Sequence, residues 1–375
     1  MVNTPAKKTR VLVVDDSAFM RKVLESIFVA DGQFQVIGQA KDGREAIALA
    51  ESLKPDVITM DLNMPHMDGL QATAQIMTTN PRPIVIVSSE SKDCAASTLK
   101  ALELGAIEFV GKPSGGIDLD MQTVKEDLVR KVRMAAKVRV VRTASRLAST
   151  LQAAKGTSAS AAAPPAKRPT PVTPPDQRFP VVVLVASTGG PATVMRLAPG
   201  FTRDFPAAVF LVQHMPAAFT TQYAAQLAEF TSIRVKEAEA NETVQPGTLY
   251  ICPGAQHLRV TPTGRIQLDG ASGRINGYLP NMDVTMETVA AFAGAMSIAV
   301  ILTGMGNDAA NGAKAIKSAG GLVLAQDEAT SVIFGMPAEA IKVGAVDQVL
   351  GIDDIYAAIE KRVIGLCKQT PVGVR

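Results

Sequence analysis

The chain has little that would commit it to several common classes of protein. Aromatic residues make up only 4% of its 375 positions and tryptophan is absent, which leaves no stacking platforms for single-stranded nucleic acid. Lys and Arg exceed Asp and Glu by only three, so the charge balance gives no footprint for a polyanion and fits a protein partner equally well. The three cysteines, Cys94, Cys252 and Cys367, are scattered and odd in number. That argues against a disulfide framework, and no cysteine pair has zinc-ligand spacing. No apolar segment is long enough to serve as a signal or to cross a membrane, and Met1 to Arg10 is polar and basic. A cytoplasmic protein without membrane insertion is the expectation, and a monomer is the expected state. Histidine is also scarce, with only His66, His214 and His257. Any imidazole chemistry must therefore use one of these three.

What is present is a repeated alternation of short apolar runs with amphipathic stretches. Val11 to Val14, Phe34 to Ala40, Val57 to Met60, Ile84 to Val87 and Ala106 to Val110 read as five strands. Ser17 to Ala30 and Gly43 to Leu53 read as helices between them, the pattern of a doubly wound parallel sheet. Asp118 to about Gln152 is helical in composition and basic, and Lys155 to Gln177 is rich in Ala, Ser, Pro and Thr. Such a segment has too few large apolar groups to repay the entropy of ordering. From Phe179 to about Gln369 the α/β alternation resumes with at least five strands. The expected division is therefore a first domain over 9–127, a basic helix and linker over 128–178, and a second domain over 179–370.

Five polar positions follow strands of the first domain at one edge: Asp15 and Asp16, Asp61, Ser88, and Lys112 with Pro113. Clustered carboxylates suit Mg²⁺, a hard cation that keeps waters for a phosphoryl donor. Asp61 could then form an acyl phosphate while Lys112 and the Ser88 hydroxyl meet its oxygens. Any one such residue could equally be a solvated turn, but five in register is a constellation. The stretches Val13-Val14-Asp15-Asp16-Ser17, Met60 to Gly69, Val87-Ser88-Ser89 and Phe109 to Pro113 resemble the receiver domain of two-component response regulators. The resemblance implies a flavodoxin-like fold, Mg²⁺ held by Asp15, Asp16, Asp61 and Asn63, and phosphorylation of Asp61 by a CheA-type histidine kinase. It also implies that Phe109 is an aromatic switch coupled to Ser88. His66 reads as a surface residue.

In the second domain three apolar runs end on side chains suited to acyl transfer. Val181 to Val185 leads into Ala186-Ser187-Thr188-Gly189-Gly190, Ala207 to Val212 into Gln213-His214, and Ile298 to Leu302 into Thr303 to Asp308. If the runs are neighbouring parallel strands, Ser187, His214 and Asp308 meet at one carboxyl edge. A serine hydroxyl needs a neutral imidazole as base, and the imidazole needs an orienting carboxylate. His214 directly follows a strand and is the stronger candidate base, with His257 read as a pocket wall or loop anchor. Two competing readings stand beside this one. The Ser187 to Pro191 turn could cradle a phosphate, or simply be a tight strand-to-helix turn. Gly304-Met305-Gly306-Asn307-Asp308-Ala309 matches a dinucleotide glycine fingerprint, with Asp327 placed as a ribose acid.

The order Ser, His, Asp, and Val185 in place of the first glycine of a nucleophile elbow, disfavour a general lipase or esterase. The second domain instead resembles the catalytic domain of the chemotaxis receptor methylesterases, the CheB family. The stretches that carry this are Ala186 to Pro191, Val212 to Pro216, Leu302 to Asp308 and Ala325 to Pro337. The resemblance implies a Rossmann-like α/β domain with Ser187 as nucleophile, His214 as base and Asp308 as orienting acid. It implies oxyanion donors in the backbone amides of His214 and Met305, support from Thr188, and no cofactor for the ester reaction. It further implies hydrolysis of glutamate γ-methyl esters on methyl-accepting chemotaxis receptors, deamidation of glutamines, and control by the receiver. Val185 and Pro280-Asn281-Met282-Asp283 depart from the usual family pattern, with Asp283 expected to be structural. A response regulator with a non-catalytic binding output is the alternative.

Overall fold

The computed structural model describes residues 7–89, 92–112, 118–138 and 179–369. Pro113 and most of the expected linker, 139–178, lie outside these residues. The chain divides into two compact units, Met1–Pro171 and Val172–Arg375, each with its own parallel sheet.

In the first unit, β1 (Thr9–Val14), β2 (Phe34–Ala40), β3 (Val57–Met60), β4 (Ile84–Ser88) and β5 (Glu108–Gly111) form one sheet in the order β2-β1-β3-β4-β5. All four pairings are parallel. The helices are α1 (Ala18–Asp31), α2 (Gly43–Leu53), α3 (Gly69–Thr79), α4 (Lys92–Glu103) and α5 (Asp118–Ala135). Their starts are written locally: Ser17, Asp42 and Asp68 each accept a backbone N–H of the first turn of α1, α2 and α3. Gly32 closes α1 at φ 77°, a left-handed conformation that favours glycine. α5 runs past the expected boundary at 127, because Leu128, Val132 and Ala135 are buried and Arg133 pairs with Asp31 of α1 at 2.8 Å. Residues 128–135 thus belong to the packing of the first unit rather than to a solvated connector.

In the second unit the strands are β6 (Val181–Ala186), β7 (Ala208–Gln213), β8 (Arg234–Glu237), β9 (Thr248–Ile251), β10 (His257–Val260), β11 (Ile266–Asp269), β12 (Ser297–Ile301), β13 (Leu322–Gln326) and β14 (Gln348–Leu350). Seven build a parallel sheet in the order β14-β13-β12-β6-β7-β9-β8. β10 and β11 form a separate antiparallel hairpin that the apolar alternation does not announce. Helices α6 (Gly190–Leu197), α7 (Ala217–Ala228), α8 (Met282–Ala293), α9 (Ala310–Ser318), α10 (Met336–Lys342) and α11 (Ile352–Gln369) complete the unit. β6, β7 and β12 are fully buried along their length, as runs covered on both faces must be. β6 lies between β12 and β7, so the chain leaves the first strand of this unit in both directions. That switch point opens a crevice outside the carboxyl ends of the strands. Val185 is fully buried inside β6, paired with Val212 and Ile301, so it packs the sheet and does not line the crevice.

Close backbone approach fixes one glycine of the first unit. A Cβ on Gly69 would lie 1.9 Å from the Asp61 carbonyl oxygen, where no flexible side chain can yield. Gly69→Ala should therefore cost about 2–3 kcal/mol, in the range of an overpacked core. Faster amide hydrogen exchange in β1 and β3 of the intact chain is the expected readout; unchanged protection would contradict the contact.

Candidate active site and phosphoacceptor site

The three apolar runs are neighbours, and the residues that follow them meet. Ser187 leaves β6 in a tight turn: its N–H donates to the Thr303 carbonyl (3.0 Å) and its own carbonyl accepts the Gly190 N–H (2.8 Å). Ser187 Oγ lies 3.1 Å from His214 Nδ1, and His214 Nε2 lies 2.8 Å from Asp308 Oδ2. Strand order explains this use of the ring. Ser187 follows the central strand, one spacing of about 4.8 Å from the strand that leads to His214, and Asp308 follows the strand one spacing away on the other side. The nitrogen nearer the backbone therefore serves the near strand and the distal nitrogen the far one. Ser187 retains 8% exposure and the His214 side chain 17%, so the pair faces a narrow opening.

Asp308 is 2% exposed, yet it is well supplied with donors. Met282 N–H donates to Oδ2 (2.9 Å), and Asp283 N–H (3.2 Å) and Ala309 N–H (3.1 Å) donate to Oδ1. The first two belong to the opening turn of α8, where unsatisfied N–H groups and the helix dipole favour an anion. Asn281 caps that helix by accepting the Val284 N–H at 3.0 Å. His257, fully buried, holds the cap: its Nδ1 accepts the Asn281 N–H (3.1 Å) and its Nε2–H donates to the Gly273 carbonyl (2.8 Å). It is a loop anchor well away from Ser187 in hydrogen-bond terms, as its place between short strands suggested. Asp283 ties α8 to α9, accepting the Gly312 N–H at 2.6 Å. Burial pushes its carboxyl above the ordinary range, the Gly312 N–H opposes this, and the neighbouring Asp308 charge adds to the rise.

Two glutamines, to which residue type alone assigned no role, brace the turn. Gln213 Nε2 donates to the Ser187 carbonyl (2.9 Å) and the His214 carbonyl (3.3 Å), coupling the two residues through their backbones. Gln326 Oε1 accepts the Thr303 N–H at 2.9 Å, and Thr303 Oγ1 donates to the Thr188 carbonyl at 3.0 Å. Thr188 thus enters this bracing through its backbone. Tyr278 was equally silent in sequence, yet its ring stacks on His214 with centroids 4.8 Å apart and planes 10° from parallel.

The competing readings fail on space. A Cβ on Gly189 would meet Val332, and one on Gly190 would meet Gln213 Oε1 at 2.1 Å, so protein atoms fill the turn where a phosphate would lie. Beside Gly304 stand Met336 and Ser187, and beside Gly306 stands the Tyr278 hydroxyl. Asp327 braces its own loop, its Oδ1 accepting Thr330 N–H (2.9 Å) and Thr330 Oγ1–H (2.6 Å). One further expectation is corrected. The His214 backbone N–H donates to the Ala186 carbonyl at 3.2 Å, continuing the strand ladder, and is not directed to an oxyanion. Met305 follows Gly304 on the flank of Ser187 and is half-buried.

In the first unit Lys112 Nζ lies 2.8 Å from both Asp15 Oδ2 and Asp61 Oδ2. Burial works against the Lys112 charge, but its hydrogen bonds to the two carboxylates prevail and raise its pKa. Burial raises the Asp61 carboxyl, with Lys112 opposing and Asp15 reinforcing the shift. Asp15, Asp16 and Asp61 each present an oxygen within 4.8 Å of the others, against one ammonium. This excess of negative charge, built from oxygen donors, fits a hard divalent cation. Asn63 donates its backbone N–H to Asp61 Oδ1 (3.4 Å) and its side-chain Nδ2–H to Cys94 Sγ, so its oxygens are the donors it could add to such a set. Ser88 Oγ is buried and makes no hydrogen bond among the described residues. Phe109 is buried, its carbonyl accepting Lys131 Nζ (2.9 Å), with the same ammonium 5.2 Å from its ring centroid. His66 is exposed at φ 65°.

Two outcomes are expected. Because burial raises Asp61, the folded unit binds that proton more tightly than the unfolded chain, so the ionised carboxylate costs stability. The cost is full at neutral pH, shrinks as pH falls through the folded pKa and vanishes below the ordinary value of 3.8. Asp61→Asn should therefore stabilise this unit at neutral pH and lose its advantage in acid, as followed by urea unfolding across pH. Asp308→Asn places an amide against three backbone N–H donors and should lower turnover by about 10³–10⁴-fold, on the precedent of other serine triads. An active-site titration that shows near-normal acylation would contradict it.

Comparison with known proteins identifies the family of each unit. The CheB methylesterase family model matches residues 182–359, and the response regulator receiver domain model matches residues 11–123. A relative from Methanococcus maripaludis, named protein-glutamate methylesterase/protein-glutamine glutaminase, is 40% identical over 94% of this chain and 98% of its own length. A protein of the same name from Pyrococcus horikoshii is 41% identical over 95% of this chain and 94% of its own. Among solved structures, the Thermotoga maritima CheB methylesterase catalytic domain is 39% identical, covering 49% of this chain and 99% of that one, with a TM-score of 0.48. With both family models in series and relatives aligned along nearly its whole length, the chain belongs to the CheB methylesterase family, with a response regulator receiver domain ahead of the catalytic domain.

Proposed function

We propose that this protein is a phosphorylation-activated protein-glutamate methylesterase that also acts as a protein-glutamine glutaminase, working on methyl-accepting chemotaxis receptors. The observation that carries this reading is the hydrogen-bonded line from Ser187 Oγ through His214 to Asp308, at 3.1 and 2.8 Å. It also counts against a non-catalytic output domain, which has no need of an aligned triad.

Ser187 Oγ attacks the γ-carbonyl of a methylated glutamate while His214 Nδ1 takes the hydroxyl proton. Nε2–H remains on the Asp308 carboxylate, which stabilises the imidazolium without itself taking the proton. The oxygen of the tetrahedral intermediate is assigned to the Met305 backbone N–H, a donor that does not depend on its side chain. The intermediate collapses, the bond to the methoxy oxygen breaks, and Nδ1–H protonates that oxygen so that methanol leaves. Water then adds to the glutamyl-enzyme with the same imidazole as base, releasing glutamate and restoring Ser187. A glutamine substrate follows the same steps with ammonia as leaving group. No cofactor enters the scheme.

In the receiver, Asp61 is the phosphoacceptor, with a CheA-type histidine kinase as donor. Asp15, Asp16, Asp61 and the backbone oxygen of Asn63 would hold Mg²⁺, which when bound offsets charge between donor and acceptor. Lys112 neutralises the acyl phosphate formed on Asp61. The buried Ser88 hydroxyl, which has no partner among the described residues, donates to a phosphoryl oxygen, and Phe109 repacks behind it. This is a switch of the kind that converts a local charge change into a repacked surface. Among the described residues no helix is long and apolar enough to cross a membrane, consistent with action on the receptors from the cytoplasm.

Methanol release from methylated receptor fragments, with Mg²⁺ and a small phosphodonor, tests both parts. Ser187→Ala should lose about 10⁴–10⁶ of the turnover, as when a triad nucleophile is removed. Asp61→Asn should keep the basal rate and gain nothing from the phosphodonor. Methanol release by Ser187→Ala at the parent rate, or full activation of Asp61→Asn, would overturn the corresponding assignment.

A further inference from the structure

His214 makes two hydrogen bonds, one at each ring nitrogen. Two such bonds leave the ring free to rock about the line that joins those nitrogens. Rocking about that line tilts the Nδ1 lone pair and the Nε2–H away from their partners, so the freedom matters for proton transfer. Tyr278 removes it, because its ring lies almost parallel to the imidazole at a centroid distance of 4.8 Å.

The tyrosine is itself fixed from several directions. Its backbone N–H and carbonyl both pair with Ile275, at 3.0 Å each. The Ile275 carbonyl also accepts Asn281 Nδ2–H at 3.2 Å. The ends of this loop converge on the buried His257, which bonds Gly273 on one nitrogen and Asn281 on the other. At the far end of the ring the hydroxyl rests against Gly306, where a Cβ would come within 2.3 Å of it and where φ is +94°. Only a glycine leaves room there for the tyrosine to lie flat against the histidine.

We propose that Tyr278 is a positioning residue of the esterase site. Its face holds the His214 imidazole in the one plane that serves Ser187 and Asp308 together, and screens from water the imidazolium that forms during acyl transfer. The proposal rests on the reading of the chain as a serine methylesterase. A stacked aromatic pair, or a cation against an aromatic face, corresponds to an effect of roughly tenfold.

The test compares Tyr278→Leu with Tyr278→Phe in the full chain, reading methanol release and the His214 ring-proton resonances. Leucine should lower kcat about tenfold with KM within about twofold, the size a lost stack implies. It should also move the His214 resonances downfield as ring-current shielding is lost. Phenylalanine should restore both. A phenylalanine variant as slow as the leucine one would overturn the proposal, since the hydroxyl would then be the active element. A rise in KM alone would also overturn it, because it assigns Tyr278 to substrate contact. Should the leucine variant fold poorly, nuclear Overhauser contacts between the Tyr278 and His214 rings in the unsubstituted protein decide the matter, and their absence defeats the stack. Failure of the unsubstituted protein to release methanol, with those contacts present, would instead defeat the esterase reading.

Discussion

The catalytic half of this molecule depends on one buried carboxylate. Asp308 is 2% exposed, and three backbone N–H groups and an imidazole converge on its two oxygens. A carboxyl group buried without such donors would lose its hydration uncompensated. The donors in turn require α8 to begin at one particular place, and the Asn281 cap and its His257 anchor secure that start. The hairpin strand that carries His257 is therefore part of the acid's support, although nothing in it reaches the nucleophile. Aligning Ser187 and His214 would accomplish little if this distant start slipped by a residue.

Much of this was legible before any coordinates. Runs such as Val181–Ala186 and Ile298–Ile301 are apolar at every position, which suits strands covered on both faces, and polar residues follow them where a site should lie. The receiver residues Asp15, Asp61, Ser88 and Lys112 were recognisable in the same way, because strand ends in a parallel sheet share an edge. Helix starts at Ser17, Asp42 and Asp68 are likewise local chemistry.

The unreadable parts are those whose meaning lies in a distant partner. Tyr278 sits in a loop of small and polar residues with no periodicity, and only the folded chain brings its ring to His214. Gln213 reads as the residue that follows a strand, yet its side chain turns back onto two carbonyls. The glycine fingerprint misleads for the complementary reason: glycines that allow approach to a phosphate look the same as glycines that allow approach of Met336 and Tyr278. The end of α5 at Ala135 was blurred because basic residues on its outer face conceal the buried line of Leu128, Val132 and Ala135.

The order of strands carries a consequence for how such a centre can be built at all. With Ser187 in the middle, Asp308 and His214 approach it from opposite sides, and one planar ring must span the gap with two atoms at unequal reach. Imidazole is suited to this because its two nitrogens sit at different distances from its own main chain. Exchanging the positions of the central and outer strands would ask the same ring to turn end for end, with the distal nitrogen taking the hydroxyl proton. The linear sequence of the three groups is thus free to vary among unrelated folds, whereas their lateral arrangement decides which nitrogen carries the proton.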